Sequence, residues 1–168
     1  QPGDIICYSG HVAIYIGGGA ITDNAGAEVL ALAEKIDAPI GCTMMGISAV
    51  PTSNPRWLGM EGMHGHYASS IAQNEADLII TAGARFSDRG TGNTAKYARN
   101  AKIIHIDIDA SELCKNISVE LGIAGSIKEI LTRLMDKLPQ QTHPDWMARV
   151  AELQAETAKL EAQDPDEL

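Results

Sequence analysis

The sequence predicts an α/β fold in which helices cover both faces of a parallel sheet. Short apolar runs with the length of buried strands alternate with segments of helical periodicity about five times, an order typical of parallel strands joined by helices. The central stretch, Asp77–Gly83, contains a short apolar run that ends in small residues, which indicates a strand buried on both faces. Charged residues follow it directly, at the edge where open α/β sheets bind ligands.

Composition indicates one folded domain and argues against several functions. The 168 residues are 45% hydrophobic, enough for a full core with a short appendage. A formal net charge of −9 and an aromatic content of 4% argue against nucleic-acid binding by charge or by base stacking. Cys7, Cys42 and Cys114 have no metal-binding spacing, which favours a reduced, cytoplasmic setting. The sequence shows no membrane span and no signal peptide, and its start at Gln1 is compatible with an excised or engineered piece.

The first predicted strand, His11–Ile16, ends in Gly17, Gly18 and Gly19. Consecutive glycines between a strand and a helix let the backbone approach a phosphate or a ribose, because no side chain holds the ligand away. Thr22 stands where the dinucleotide fingerprint requires its third glycine. A tight turn that binds nothing is therefore the alternative interpretation.

A predicted helix over about residues 24–37 leads to the next strand, residues 39–43, which begins at a proline. The Thr43 hydroxyl and the Met45 backbone then lie at the ligand-binding edge, where they are available to a flat ligand. Methionines at such a place are more often core filler than cofactor contacts.

The segment Leu58–Gly65 combines three glycines with two methionines and a histidine. Because glycine loses much backbone entropy in a helix or a strand, we predict an irregular loop here, followed by a helix over His66–Asn74. His64 has the chemistry of an acid–base residue, although a hydrogen-bonding loop residue is the interpretation we favour.

Arg85, Asp88 and Arg89 come directly after the central strand. An arginine there suits a phosphate, because a guanidinium can donate two parallel hydrogen bonds. A surface ion pair between Arg85 and Asp88 explains the same residues without a ligand, and this stretch alone does not decide between the two.

The predicted strand Ala101–Ile108 brings Asp107 and Asp109 to the next strand end. The two aspartates alternate across one isoleucine and point in opposite directions, which argues against a shared metal ion. We expect Asp107 to face a ribose or an adenine amine, and Asp109 to cap a helix that begins at Ala110.

The C-terminal part contains another apolar run and two helices. Ser118–Ala124 is the run, and Ser126 is the predicted N-cap of an amphipathic helix over residues 127–138. A surface helix over residues 145–162 presents a docking face, and a frayed tail begins at Asp164. The predicted docking face consists of Trp146, Val150 and Leu153.

Five segments carry a family resemblance, in the family's order and spacing: Ile14–Ala20, Thr43–Gly46, Leu58–Gly65, Gly83–Arg89 and His105–Asp109. Together they resemble the central domain of the acetolactate (acetohydroxyacid) synthase catalytic subunit. The resemblance implies a Rossmann-like parallel sheet of about six strands that binds FAD in a structural or vestigial role. It also implies an N-terminal extension at residues 1–11, a cofactor-binding domain at residues 12–138 and a helical linker or tail at residues 139–168.

Carried over position by position, the resemblance implies a set of FAD contacts. The residues whose backbone would contact the cofactor are Gly17, Gly18 and Gly19. The neighbours of its flavin half would be Thr43 and Met45. The residues lining the same groove are Met63, His64 and Gly65. The residues at the diphosphate and ribityl region are Gly83, Ala84, Arg85, Asp88 and Arg89, and those at the adenosine end are Asp107 and Ile108.

Three positions depart from the family pattern. Ser87 and Ser126 stand where the family usually has aspartate, and Gly90 stands where it has valine; each departure is expected to weaken FAD binding. The alternative is a scaffold domain that binds ADP or nothing. Thiamine diphosphate and magnesium belong to other parts of the parent enzyme, so we expect this fragment alone to be inactive in pyruvate condensation for branched-chain amino-acid synthesis. The implied partners are the remaining domains or subunits, or a second copy of the chain.

A distant alternative concerns the first residues. Pro2–Ile6 and Gly10–Gly17 resemble the strand pair of NlpC-type cell-wall cysteine peptidases, in which His11 would correspond to the catalytic base. Such an enzyme needs a cysteine on an upstream helix, and Cys7 is too close to His11 for that role. We interpret this similarity as a coincidence of β-rich sequence or a splice at the shared glycines.

Overall fold

A computed structural model describes residues 10–163 and shows a six-stranded parallel sheet with the strand order β3-β2-β1-β4-β5-β6. The strands are β1 (Val12–Ile16), β2 (Ile40–Cys42), β3 (Trp57–Met60), β4 (Leu78–Ala82), β5 (Lys102–Asp107) and β6 (Leu121–Ala124). The helices are α1 (Gly18–Thr22), α2 (Gly26–Lys35), α3 (Tyr67–Glu75), α4 (Asp88–Thr91), α5 (Ile127–Met135) and α6 (Pro144–Gln163). Short 3₁₀ turns occupy Met44–Gly46 and Ala110–Glu112. The predicted α/β fold with a parallel sheet is confirmed.

Two apolar layers cover the sheet. On one face, α2 and α5 pack through Leu32 and Leu131 onto strand residues such as Ile14. On the other face, α3 and α6 pack together, with Ala72 and Trp146 in one buried cluster. The central strands β1 and β4 are buried along their whole length, as their continuous apolar sequences predict.

The loop predicted over Leu58–Gly65 is wrong in its first part, because Trp57–Met60 forms the edge strand β3. Gly59 takes a φ of +90° and the register with β2 shifts between Ile40 and Gly41, so the strand accommodates the glycine through an irregularity. Leu58 is buried against α3, which stabilises the edge strand. The irregular loop begins at Glu61, as the glycines further along predict.

The C-terminal helices follow the predicted pattern with one difference. Helix α5 ends at Met135 rather than at residue 138, and Ser126 caps it by accepting a hydrogen bond from the Glu129 amide. The predicted docking face of α6 is confirmed, since Trp146, Val150 and Leu153 are all buried.

Two predicted features lie outside the described residues, namely the turn and strand around Cys7 and the frayed tail from Asp164. Within the described part of the chain, no helix has both the length and the apolar character needed to cross a membrane.

Candidate functional site

The strand order places a crevice between the loops that follow β1 and β4. The chain proceeds outward from β1 to β3 on one side of the sheet and then returns to β4 on the other side of β1. Ligands of open α/β sheets bind at the carboxyl ends of the strands, at the point where the strand order reverses in this way. The predicted glycines and arginines therefore lie at the edge where the topology favours a ligand.

The glycines of the crevice bring two loops into backbone contact. A Cβ atom added to Gly17 would lie 2.2 Å from the Gly83 carbonyl oxygen, and one added to Gly19 would lie 2.7 Å from the Gly83 Cα atom. The Gly19 amide donates a 3.1 Å hydrogen bond to that carbonyl, and Gly83 itself has a φ of +64°. Gly18 differs, because its added Cβ atom would lie 3.1 Å from the Met45 Cβ atom, at the groove side of the loop. Packing between loops is thus a reason for Gly17, Gly19 and Gly83 that the sequence pattern did not reveal.

A groove of about 580 Å³ opens beside this crevice. Among its lining residues are five predicted cofactor contacts: Thr43, Met45, Met63, His64 and Arg89. The lining residues that were not predicted as contacts are Tyr15, Met44, Met60, Glu61, Ser87 and Gly90. We refer to this cavity as the methionine groove.

Three methionine side chains of the groove are unusually exposed. Met44, Met45 and Met63 have 65%, 72% and 76% of their surface accessible. Soluble proteins seldom expose a contiguous set of large apolar side chains unless a ligand or a partner covers it. Methionine is also flexible enough to adapt to a flat ring.

Several other predicted contacts, among them Gly65, Ala84 and Ile108, do not line the methionine groove. Gly65 closes a turn in which its amide donates to the Gly62 carbonyl. Ala84 is buried, whereas Ile108 has 72% of its surface exposed at the end of β5. Whether these residues contact a cofactor stays a prediction.

Arg85 extends into solvent, with 78% of its side chain exposed. Its Nε atom lies 4.0 Å from Glu112 Oε1, a distance that gives at most a weak ion pair. The alternative pair of Arg85 with Asp88 does not occur among the described residues, since Asp88 instead accepts a hydrogen bond from the Arg89 amide. The guanidinium is therefore available to an anion at little cost.

The two aspartates at the carboxyl end of β5 have different surroundings. Asp107 is buried, and its Oδ1 atom accepts a 2.9 Å hydrogen bond from the Asp109 amide. Asp109 is exposed and caps the turn Ala110–Glu112 by accepting from the Ser111 amide. The predicted capping role of Asp109 is confirmed, although it caps a 3₁₀ turn rather than a longer helix.

The three departures from the family pattern have identifiable surroundings. Ser87 lines the methionine groove. A Cβ atom at Gly90 would lie 3.2 Å from the Tyr15 hydroxyl oxygen, so a larger residue would press on that tyrosine.

Ser126 donates a hydrogen bond to Asp23, whose carboxylate also accepts from the Lys128 amide. These hydrogen bonds, chiefly that from Lys128, lower the pKa of Asp23, which therefore adds a negative charge near the N-terminus of α5.

Glu61 is the main groove residue that sequence reasoning missed. It is buried, its Oε2 atom has no hydrogen-bond partner in the described part of the chain, and burial raises its pKa to about 8. Hydrogen bonding by Gln73, Tyr15 and Tyr97 works in the opposite direction. The sequence shows only a single carboxylate among glycines and methionines. The residues that surround Glu61 in the fold come from distant segments of the chain, so the sequence does not reveal its burial.

His105 is a second buried polar group, next to the adenosine end of the predicted site. Its side chain is 1% exposed, and neither ring nitrogen has a hydrogen-bond partner among the described residues. The nearest carboxylate oxygen, Asp107 Oδ2, lies 3.9 Å from its Nε2 atom. Burial lowers the pKa of His105, and Asp107, the nearby Ala84 backbone and Glu112 together offset only part of this effect.

The buried imidazole predicts acid sensitivity. Because the pKa of His105 is lowered in the folded state, the unfolded chain binds this proton first, and stability is lost as the pH falls below about 6.5. The loss is at most about 1.4 kcal/mol per pH unit for this residue. Urea unfolding at several pH values between about 5 and 8 should show a smaller pH dependence in His105→Leu than in the wild type. An equal dependence in both proteins would assign the acid sensitivity to other groups.

The peptidase interpretation is not favoured by the position of His11. This residue precedes β1, at the edge of the sheet opposite the groove, where its ring stacks on Trp146 at 4.4 Å. Its Nδ1 atom lies 3.1 Å from the Glu75 carbonyl oxygen. These contacts give His11 a structural role in packing helix α6 against the start of β1.

Comparison with known proteins identifies consistent relatives. A protein-family model described as the thiamine pyrophosphate enzyme, central domain, matches residues 4–134. The acetolactate synthase isozyme 1 large subunit of Escherichia coli is 42% identical over 143 residues, which cover 85% of this chain and 25% of that protein. The probable acetolactate synthase large subunit of Methanocaldococcus jannaschii is 41% identical over 152 residues, or 89% of this chain and 26% of that protein. The acetolactate synthase large subunit of Haemophilus influenzae is 39% identical over 128 residues, or 76% of this chain and 22% of that protein. The chain therefore spans about a quarter of the length of these relatives.

Proposed function

This chain belongs to the thiamine pyrophosphate enzyme central-domain family, and we propose that it is the FAD-binding central domain of an acetolactate synthase large subunit. The relatives that support this proposal are all large subunits of that enzyme. The observation that carries the FAD assignment is the methionine groove beside two exposed arginines at the reversal point of the strand order. The parent enzyme is proposed to condense pyruvate in branched-chain amino-acid synthesis, in the cytoplasm.

The residues present fit a flavin dinucleotide at both of its ends. The exposed methionines of the groove offer an apolar surface to a flat ring, and the Thr43 hydroxyl oxygen is buried there without a hydrogen-bond partner among the described residues. Arg85 and Arg89 offer charge-assisted hydrogen bonds to a diphosphate. The backbone at Gly18 supplies an approach without a large side chain.

Bound FAD is proposed to contribute structure and not the carbon–carbon bond chemistry. The chain's own residues would hold the ring in an apolar groove and keep water from it. They would also neutralise the diphosphate on a chain whose net charge is −9. The remaining domains of the parent subunit, or other subunits, are the proposed partners that cover the exposed edge.

FAD binding can be tested directly by colour and titration. We expect the purified protein to be yellow, or to take up added FAD, with the flavin absorption released on denaturation. ADP should compete with FAD if the two share the diphosphate site. A colourless protein that takes up no FAD would contradict the proposal. In that case, binding of ADP, or of neither ligand, would support a scaffold domain.

The isolated chain is expected to form no acetolactate. Pyruvate condensation requires a carbanion stabilised on thiamine diphosphate, and this sequence contains no binding motif for that cofactor. Acetolactate should be measured with pure protein, pyruvate, thiamine diphosphate, magnesium and FAD. A preparation of an intact acetolactate synthase serves as the positive control. Turnover by the isolated chain would contradict the assignment of the chemistry to other parts of the enzyme.

A further inference from the structure

Helix α4 is a single exposed turn that carries a proposed diphosphate contact, Arg89. None of the four residues of α4 is buried. The amides of Gly90 and Thr91 donate to the Ser87 carbonyl oxygen, so these hydrogen bonds stay within the turn itself. A helical turn this short is not stable on its own, and no apolar burial fixes its position. The position of Arg89 therefore depends on what else holds α4.

One main-chain hydrogen bond joins α4 to the loop on the opposite side of the methionine groove. The Met63 amide donates it to the Arg89 carbonyl oxygen at 3.0 Å. Within residues 10–163, it is the only main-chain hydrogen bond between α4 and a segment beyond its own turn. Both residues line the groove, from the loops that follow β3 and β4. We refer to this hydrogen bond as the latch.

Gly62 allows the two loops to come close enough for the latch. Its φ is +107°, a conformation that residues with a side chain rarely adopt. A Cβ atom added to Gly62 would lie 2.4 Å from the Arg89 carbonyl oxygen and 3.0 Å from the Gly90 Cα atom. Both atoms are main-chain atoms of α4, so any side chain at position 62 would push α4 away from the loop.

The loop that carries Gly62 and Met63 is itself held at both ends. The Glu61 amide donates a 2.8 Å hydrogen bond to the Cys42 carbonyl oxygen on β2, and the His66 amide donates a 2.7 Å hydrogen bond to the Met60 carbonyl oxygen on β3. The sheet therefore fixes this loop, whereas α4 has no comparable support among the described residues. Through the latch, the fixed loop holds the exposed turn.

We propose that the latch positions Arg89 for the diphosphate, so that Gly62, on the ring side of the site, controls binding at the opposite end of the ligand. This inference rests on the proposed FAD site. Gly62 is a positioning residue that acts through the main chain of Arg89. A guanidinium on a turn that is already held loses less freedom when it binds a phosphate, and so binds it more tightly.

ADP is the probe for the diphosphate end, because it lacks the ring that the methionines would contact. Gly62→Ala breaks the latch, so we expect it to bind ADP roughly tenfold more weakly than the wild type does, and no more weakly than Arg89→Ala. Isothermal titration measures the affinities. Unchanged ADP affinity in Gly62→Ala would contradict the proposal and would leave the latch a stabilising contact between loops.

Gly26→Ala is the matched control for general destabilisation. Its added Cβ atom would lie 2.0 Å from the Ala49 carbonyl oxygen, and neither residue is a predicted cofactor contact. The variant should lower the melting temperature and leave the ADP affinity within about twofold of the wild type. A loss of ADP affinity as large as that in Gly62→Ala would attribute the effect to stability and overturn the role of the latch.

A double variant tests whether Gly62 acts through Arg89. Arg89→Ala keeps the carbonyl oxygen of the latch and removes only the guanidinium. Once the guanidinium is absent, adding Gly62→Ala should weaken ADP binding by no more than about twofold further. If the two losses instead multiply in full, Gly62 affects ADP by another route and the proposal is wrong.

A measurement on the wild type does not depend on whether Gly62→Ala folds. Saturating ADP should slow hydrogen exchange of the Met63 amide, followed by NMR, because a ligand that holds Arg89 also holds the acceptor of the latch. Unchanged exchange of this amide in the presence of bound ADP would contradict the proposal.

Hydrogen exchange without ligand separates this inference from the proposed function. In the ligand-free protein, the Gly90 and Thr91 amides of α4 should exchange faster in Gly62→Ala than in the wild type, although α4 itself is not substituted. Equal exchange would overturn the latch even if FAD binds well. Faster exchange in a protein whose wild type binds neither ADP nor FAD would contradict the FAD proposal, and the positioning role of Gly62 with it.

Discussion

Replacing Trp146 with alanine is expected to lower the free energy of unfolding by about 3–5 kcal/mol, the usual cost of deleting a large buried aromatic side chain. Trp146 is 1% exposed, and its indole Nε1 atom donates a 2.9 Å hydrogen bond to the Val12 carbonyl oxygen at the start of β1. Its ring also stacks on His11. The alanine variant leaves both a cavity and a buried carbonyl group without its donor.

Urea unfolding followed by far-ultraviolet circular dichroism is the suitable measurement, because it does not depend on tryptophan fluorescence. Trp146→Phe should lose clearly less stability, since it keeps most of the buried volume. Lys159→Ala, on an exposed position of the same helix, should change stability by no more than about 0.5 kcal/mol. A cost below about 1 kcal/mol for Trp146→Ala would mean that α6 only rests on the domain surface as a loose linker.

Other contacts of α6 also indicate that this helix is packed firmly on the domain. Arg149 makes two hydrogen bonds to the Glu75 carboxylate, at 3.0 Å and 2.9 Å, and Thr157 accepts one from the Ala68 amide. Both partners belong to α3. The helix that sequence reasoning predicted as a linker or tail is therefore packed on the domain along much of its length.

The fold could be predicted because its signals are local. Strands such as Leu78–Ala82 are apolar at every position but one, which is what burial on both faces of a sheet requires. Ser126 precedes an amphipathic stretch, and its hydroxyl satisfies a free amide of the first helical turn. The strand at Trp57–Met60 escaped prediction because backbone pairing with β2 outweighs the intrinsic cost of Gly59.

The site could be predicted only in part, because its chemistry depends on tertiary contacts. The positions of Gly17 and Gly83 were found from their place after strands, but their packing against each other needs two loops that are far apart in sequence. Glu61 gave no clear signal, since its raised pKa arises from burial among residues of three other segments. Patterns within one segment identify which loops reach the ligand edge. They do not show which side chains the fold buries there.

Arg85→Ala is expected to weaken FAD binding by about one to two decades. A charge-assisted hydrogen bond is worth roughly 1.5–3 kcal/mol, and the exposed guanidinium has only a weak competing contact with Glu112 at 4.0 Å. Arg85→Lys should recover only part of the affinity, because an ammonium group lacks the planar fork that binds two phosphate oxygens. Isothermal titration of FAD against the wild type and both variants measures the effect.

Arg133→Ala provides the control for net charge. Arg133 lies on α5 with 80% of its side chain exposed, so its removal changes the total charge by the same amount as Arg85→Ala. It should leave FAD affinity nearly unchanged if a direct contact, rather than the overall field, explains the loss at Arg85. The melting temperature of each ligand-free variant should stay close to the wild type, since exposed ion pairs contribute about 0–1 kcal/mol. Unchanged FAD affinity in Arg85→Ala would remove the main reason for placing the diphosphate at the end of β4, and an equal loss in Arg133→Ala would attribute the effect to long-range charge.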